Sequence, residues 1–241
     1  MSRSTGIDAY IAEVRKQSGY RATWLPTTTV NPGDIGRLHG QRFDVETSLA
    51  ALGIDFTVTR GGAEADYEFA SSTVHVDAGA TASAALGQSP AITMRAGFRE
   101  AGGFLCAAYN CVSHRIERID TLNHHVLQLE SNGIWDDGWL IATEVVTAQS
   151  LIILISKAAD AFAEIDCKAD LAPVPIIGLR GAFRLGAFSG LNYRTVARRG
   201  VTPMFIAHGL TGRRRHTQLN PRGGAPDSES GEPLTLRQVL P

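Results

Sequence analysis

Apolar positions first fall into a helical rhythm. Ile7, Ile11 and Val14 recur at i, i+4 and i+7, which predicts a short amphipathic helix over 7–18. Thr5 is its expected cap, Asp8 lies in its first turn, and Gly19 supplies the stop. Residues 20–25 read as extended up to Pro26, and Asn31-Pro32-Gly33-Asp34 has the chemistry of a turn. Val45, Leu49 and Leu52 predict a second short helix over 44–52 that stops at Gly53. From 54 to 98 the period falls to two: a short strand at 56–59, a Gly61-Gly62 turn, a longer strand from Tyr67 to Asp77, and a strand over 92–98. Residues 78–90 between them are almost all small, which predicts a mobile segment or a close backbone approach.

The most regular helical period follows. Leu105, Tyr109, Val112, Ile116, Ile119, Leu122, Val126 and Leu129 succeed one another at spacings of three or four, predicting one helix or two across 104–130 with Asn132-Gly133 as the stop. Beyond it the chain turns to β. Trp139–Val146 and Ser150–Ser156, on either side of Thr147-Ala148-Gln149, predict a long hairpin, and Phe162–Cys167 a further strand. Residues 176–188 and 191–196 read as another strand pair, and 203–207 is the last apolar run before a Gly-, Pro-, Ser- and Arg-rich linker over 211–233. Leu234, Leu236, Val239 and Leu240 restore apolar character at the end. No internal repeat is visible.

Composition narrows the class. With 241 residues, 44% apolar, and a net charge of −1, the chain has enough apolar mass for one sizeable core or two small ones, which excludes disorder throughout. No apolar run reaches the roughly 18–20 residues of a spanning helix, and residues 1–6 lack the apolar stretch of a secretory leader. Three cysteines make no disulfide framework, so a reducing cytosol is the expected address. The near-zero charge conceals an asymmetry: residues 1–170 sum to −8, residues 171–226 hold nine arginines and no acid, and 227–241 sum to −2. So one-sided a segment points to an anionic partner or to the acidic part of the same chain.

Enzyme signatures are poor. His-Glu-x-x-His is absent. The run 181–188 has P-loop glycine spacing, but Ala187 and Phe188 stand where Lys and Ser/Thr are needed. Cys106 and Cys111 are five apart, and with His114, His124 or His125 they could form a nucleophile–base pair or simply be buried thiols beside polar-face histidines. Glu144, Thr147, Gln149 and Ser150 interrupt the apolar ribbon over 139–156, which is either a strand buried on both faces or a ribbon that meets lipid once released. In the arginine-rich stretch, Tyr193 alone is a poor stacking platform for single-stranded nucleic acid, whereas lipid phosphate asks only for charge.

The order of these elements resembles the small bacterial gasdermins over residues 5–210. The most telling pieces are Ile141-Ala142-Thr143-Glu144-Val145-Val146-Thr147-Ala148-Gln149-Ser150 and the close Arg199-Gly200-Val201-Thr202-Pro203-Met204-Phe205-Ile206-Ala207. Positions 2–6 lack the lipidated cysteine typical of that family. The resemblance implies an α+β fold: a twisted antiparallel sheet with flanking helices in a pore-forming domain over 1–210, then a linker and flexible inhibitory tail over 211–241. It implies a non-enzymatic cell-death effector in antiphage defence, without cofactor or metal. Such a protein is cytoplasmic while inactive and moves to the inner membrane on activation. Its partners are an activating protease, anionic lipids and further copies in a ring, with no nucleic acid. Residue by residue, cleavage is expected at Arg213, Arg214 or Arg215. Membrane contact is expected through Arg180, Arg184, Arg194, Arg198 and Arg199, and insertion through a hairpin carrying Ile141, Val145, Ile153 and Ile155. The tail is expected to lock through Leu234, Leu236, Val239 and Leu240. The alternative is a binding module that presents its basic face to an anionic partner.

Overall fold

A computed structural model describes residues 5–24, 28–61, 65–79, 91–168, 183–211 and 235–238. The elements, in chain order, are α1 (Thr5–Ser18), β1 (Arg21–Ala22), β2 (Asp34–His39), β3 (Arg42–Ser48), β4 (Val58–Arg60), β5 (Ala65–Ala70), β6 (Val74–Gly79), β7 (Ala91–Phe98), β8 (Phe104–Ile116), α2 (Ile119–Ser131), β9 (Leu140–Ser156), β10 (Ala161–Lys168), β11 (Phe183–Ser189), β12 (Leu191–Thr211) and β13 (Thr235–Gln238). The fold is α+β, and antiparallel strands dominate it. Two units divide it: Met1–Val30 with Arg60–His114 and Val145–Phe205, and Asn31–Thr59 with Arg115–Glu144 and Ile206–Pro241.

In the first unit, β8 and β9 are buried on both faces. On one side α1 lays Tyr10, Ile11 and Val14 against Phe104, Cys106, Ala108, Ile153 and Ile155. The helix ends where Gly19 turns left-handed (φ +75°) and its N–H bonds the Arg15 carbonyl at 2.8 Å. Gly6 lets α1 approach β9 closely, since a Cβ there would strike the Ile155 side chain. On the other side lies a four-stranded antiparallel sheet in the order β11-β10-β7-β6. Its inward residues Val74, Val76, Met94, Ala96, Phe98, Ala163 and Ile165 cover Leu105, Ala107, Tyr109, Ile152 and Leu154.

In the second unit, β2 and β3 form a hairpin closed at Gly40 (φ +62°), with His39 paired to Arg42. Ile35, Leu49, Ile54, Leu122, Val126, Trp135 and Ile141 make its core. The Asn31–Asp34 turn is present, with the Asp34 N–H on the Asn31 carbonyl (3.1 Å) and Gly33 at φ +90°.

Several expected elements differ. Residues 104–116 are strand, and the helix begins only at Ile119. With both faces of β8 covered, its residues lose the alternation that marks a strand. An irregularity at Asn110 also changes the step, so that apolar residues fall at helix-like spacings. Residues 44–52 lie mostly in β3, because the turn at Gly40 commits them to the ladder with β2. Tyr67–Asp77 is two strands, broken where the Val74 N–H closes a turn onto the Ser71 carbonyl (3.1 Å). The expected hairpin over 139–156 is the single strand β9, 17 residues long. β11 pairs with β10, while the 191–196 and 203–207 segments belong to one strand of 21 residues.

Candidate functional site

A trough of about 440 Å³ opens on the first unit, lined by Arg60, Asn110, Val112, Thr147, Gln149 and Gly200. Two irregularities build it. In β5–β8 the register slips between Ala65↔Cys111 and Tyr67↔Ala108, and Asn110 takes up the extra residue at φ 49°. Accordingly Cys106 and Ala108 face the α1 side, and so does Cys111. In β9 the same exchange falls between Ala148 and Leu151: Val146 and Ala148 face α1, and so do Leu151, Ile153 and Ile155. The two interruptions meet, because the Asn110 side-chain amide donates to Gln149 Oε1 at 2.5 Å. Thr147-Ala148-Gln149, which reads as a hairpin turn, is therefore where polar residues are re-aimed within a continuous strand.

The polar groups at the trough are held from behind. The Asn110 backbone N–H donates to Asp66 Oδ1 at 3.0 Å. Thr147 Oγ1 lies 3.2 Å from His114 Nε2 and 3.3 Å from the Val112 carbonyl. Gly200 is left-handed (φ +70°), and a Cβ there would meet nothing within 4 Å among the described residues. Arg60 is exposed and carries no ion pair among the described residues. Among the described residues the result is a cation without an ion pair, a carboxamide and a hydroxyl along one trough. None of Arg60, Asn110 and Gly200 is a site residue by its sequence pattern; Arg60 stands against a Gly-Gly pair, and Asn110 is one polar residue inside an apolar run.

Of the residues expected from sequence, Ile141, Val145, Ile153 and Ile155 are all buried, at most 1% exposed. β9 is thus the two-sided core strand that its interrupted pattern left open. Arg194 is exposed and its guanidinium lies 4.0 Å from the centre of the exposed Phe188 ring. The Arg184 backbone pairs with Asp166. Arg180, Arg213, Arg214 and Arg215 lie outside the described residues, as do the side chains of Arg198 and Arg199. In the second unit β13 pairs with β12 from Thr211↔Thr235 to His208↔Gln238. Leu236 is 9% exposed in that unit's core, and its N–H donates to Asn123 Oδ1 at 2.8 Å. Leu234, Val239 and Leu240 lie outside the described residues.

Cys106 and the histidines are not brought together. Cys106 Sγ lies 3.9 Å from the Tyr10 hydroxyl, and burial pushes both the Cys106 and Cys111 thiols up to about 12, so neither is a thiolate at neutral pH. His114 borders the trough through Thr147, while His125 lines a separate cleft of about 190 Å³ at the start of α2 with Asp55, Glu117 and Arg118. No described group of His, Cys, Asp and Glu could hold a metal ion, and no described helix is long and apolar enough to cross a membrane.

No protein-family model matches the chain, and no curated protein matches it.

Proposed function

We propose that this protein is a membrane-pore former restrained by its C-terminal segment, a gasdermin-like cell-death effector released by proteolysis. The observation that carries the reading is the alternation in the four-stranded sheet. In β6, Val74 and Val76 point to the core while His75 and Asp77 are exposed. In β7, Met94 and Ala96 are buried and Arg95 is exposed; in β10, Ala161, Ala163 and Ile165 are buried and Phe162, Glu164 and Asp166 only partly so. A strand that crosses a membrane in a barrel needs this dyad pattern, apolar toward lipid and polar toward the lumen. The described strands are six to eight residues long, against roughly nine to eleven for a tilted spanning strand. Insertion then belongs to β6–β7 and β10–β11 rather than to β9, whose two faces are committed to the core.

β13 supports the restraint. A short terminal strand held by a four-residue ladder and one buried leucine stays docked while tethered, because tethering keeps its local concentration high. Cutting the chain before it removes that advantage. Anionic lipid, an activating protease and further copies of the chain are the partners this reading requires, with the inner membrane as the place of action.

Dye release from anionic liposomes tests it, using the full chain and protein cut between 212 and 234. Leakage that appears only after cutting is the expected result. Binding without leakage would replace the pore by a module that docks on anionic surfaces, and neither binding nor leakage would end the proposal.

A further inference from the structure

We propose that the trough lined by Arg60, Asn110, Thr147 and Gln149 binds a phosphate group, carried either by a lipid headgroup or by a small soluble molecule. This site does not depend on the pore reading. Arg60 offers a guanidinium with no ion-pair partner among the described residues, and a guanidinium meets phosphate oxygens through two parallel N–H donors. Gln149 Oε1 already accepts from Asn110, which leaves its –NH₂ group as a donor. The Thr147 hydroxyl donates its one proton to the Val112 carbonyl and so presents an acceptor at the trough, not a donor to the phosphate. The nearby Asp66 carboxylate takes the Asn110 N–H and is not part of the lining.

The Arg60 fork and the Gln149 –NH₂ group together suit an anion with at least three acceptor oxygens, two for the fork and one for the amide. That is a phosphate rather than a carboxylate, whose two oxygens the fork alone would take. At about 440 Å³ the trough has room for a phosphate with a glycerol- or pentose-sized substituent, within the range of small-ligand sites. Gly200, which lines it on the β12 side, brings no side chain into it. Paired irregularities in adjacent strands are costly to a sheet unless they re-aim side chains, and here both interruptions bring polar groups to this one trough.

The test is calorimetric titration of the full chain with glycerol 3-phosphate and inorganic phosphate, alongside co-sedimentation with phosphatidylglycerol vesicles. Saturable binding is expected, weakened at least tenfold by Arg60→Gln and by Gln149→Leu, with Arg60→Lys between Arg60→Gln and the wild type. Both altered side chains are exposed, and unchanged melting temperatures verify that the variants fold. Vesicle binding that glycerol 3-phosphate competes away, and that Arg60→Gln abolishes, assigns the phosphate to a lipid headgroup. Binding of the soluble phosphate without vesicle binding assigns it to a small molecule. Absence of saturable binding in every arm, or variants that bind as the wild type does, would overturn the proposal.

Discussion

Replacing Leu236 by Ser would loosen the C-terminal strand by an amount the structure fixes within narrow limits. Leu236 is 9% exposed and sits among the core residues of its unit, which include Ile35, Leu122 and Val126. Burying a leucine contributes roughly 1.5–3 kcal/mol, so its loss costs the docked state about 2 kcal/mol. At 1.4 kcal/mol per factor of ten, that raises the undocked population roughly thirtyfold. Trypsin reads this population directly once Arg213, Arg214, Arg215 and Arg222 are changed to Gln so that the tether stays whole, because Arg237 lies inside β13 and its peptide bond is protected while the strand is paired with Gly209. When opening and closing are fast, cleavage follows the open fraction. Cleavage after Arg237 should therefore speed up roughly thirtyfold in Leu236→Ser and only slightly in Leu236→Met, which keeps the apolar volume. Asn123→Ala, which removes the acceptor of the Leu236 N–H, should give a smaller increase, since one hydrogen bond contributes about 1 kcal/mol. On the pore reading, Leu236→Ser should also leak dye without any protease. An unchanged cleavage rate would refute the reasoning, for it would mean that the buried leucine does not hold the strand.

Two further outcomes concern stability. Burial holds the half-buried His208 below its ordinary value, beside Thr143 Oγ1 at 2.7 Å from Nδ1. The unfolded chain therefore takes up this proton first, and the stability linked to His208 is complete above about pH 6.5 and declines as pH falls from there through the depressed folded value. Melting curves from pH 7.5 to 5 should show that decline, and His208→Gln should flatten it; an identical slope in the variant would count against the assignment. Gly36→Ala places a Cβ on the Asp44 carbonyl and against the Val45 Cα, backbone that cannot step aside. A cost of about 2 kcal/mol, or a melting temperature lower by roughly 4–8 °C, is expected, and a neutral effect would show that β2 and β3 are not so closely paired.

What the sequence determined by itself were the elements with one covered face and unambiguous punctuation. The first helix shows in Ile7, Ile11 and Val14 and ends at Gly19, the turn over 31–34 is written in Asn, Pro, Gly and Asp, and β10 alternates as a half-buried strand should. Of the four apolar residues at the chain end, Leu236 packs in its unit's core, and Leu234, Val239 and Leu240 lie outside the described residues. Tertiary structure decided the rest, because side-chain period reports which face is covered and falls silent when both are. β8 and β9 lie between α1 and the four-stranded sheet, so 104–116 took on a helical period and 140–156 looked like two strands around a polar break. β3 went to a strand despite the spacing of Val45, Leu49 and Leu52, because a ladder partner two residues away across Gly40 outweighs a short helical pattern. The trough was invisible for a further reason. Arg60, Asn110, Thr147, Gln149 and Gly200 are scattered over most of the chain, and they share one trough only because two strands each shift step at the same level of the sheet.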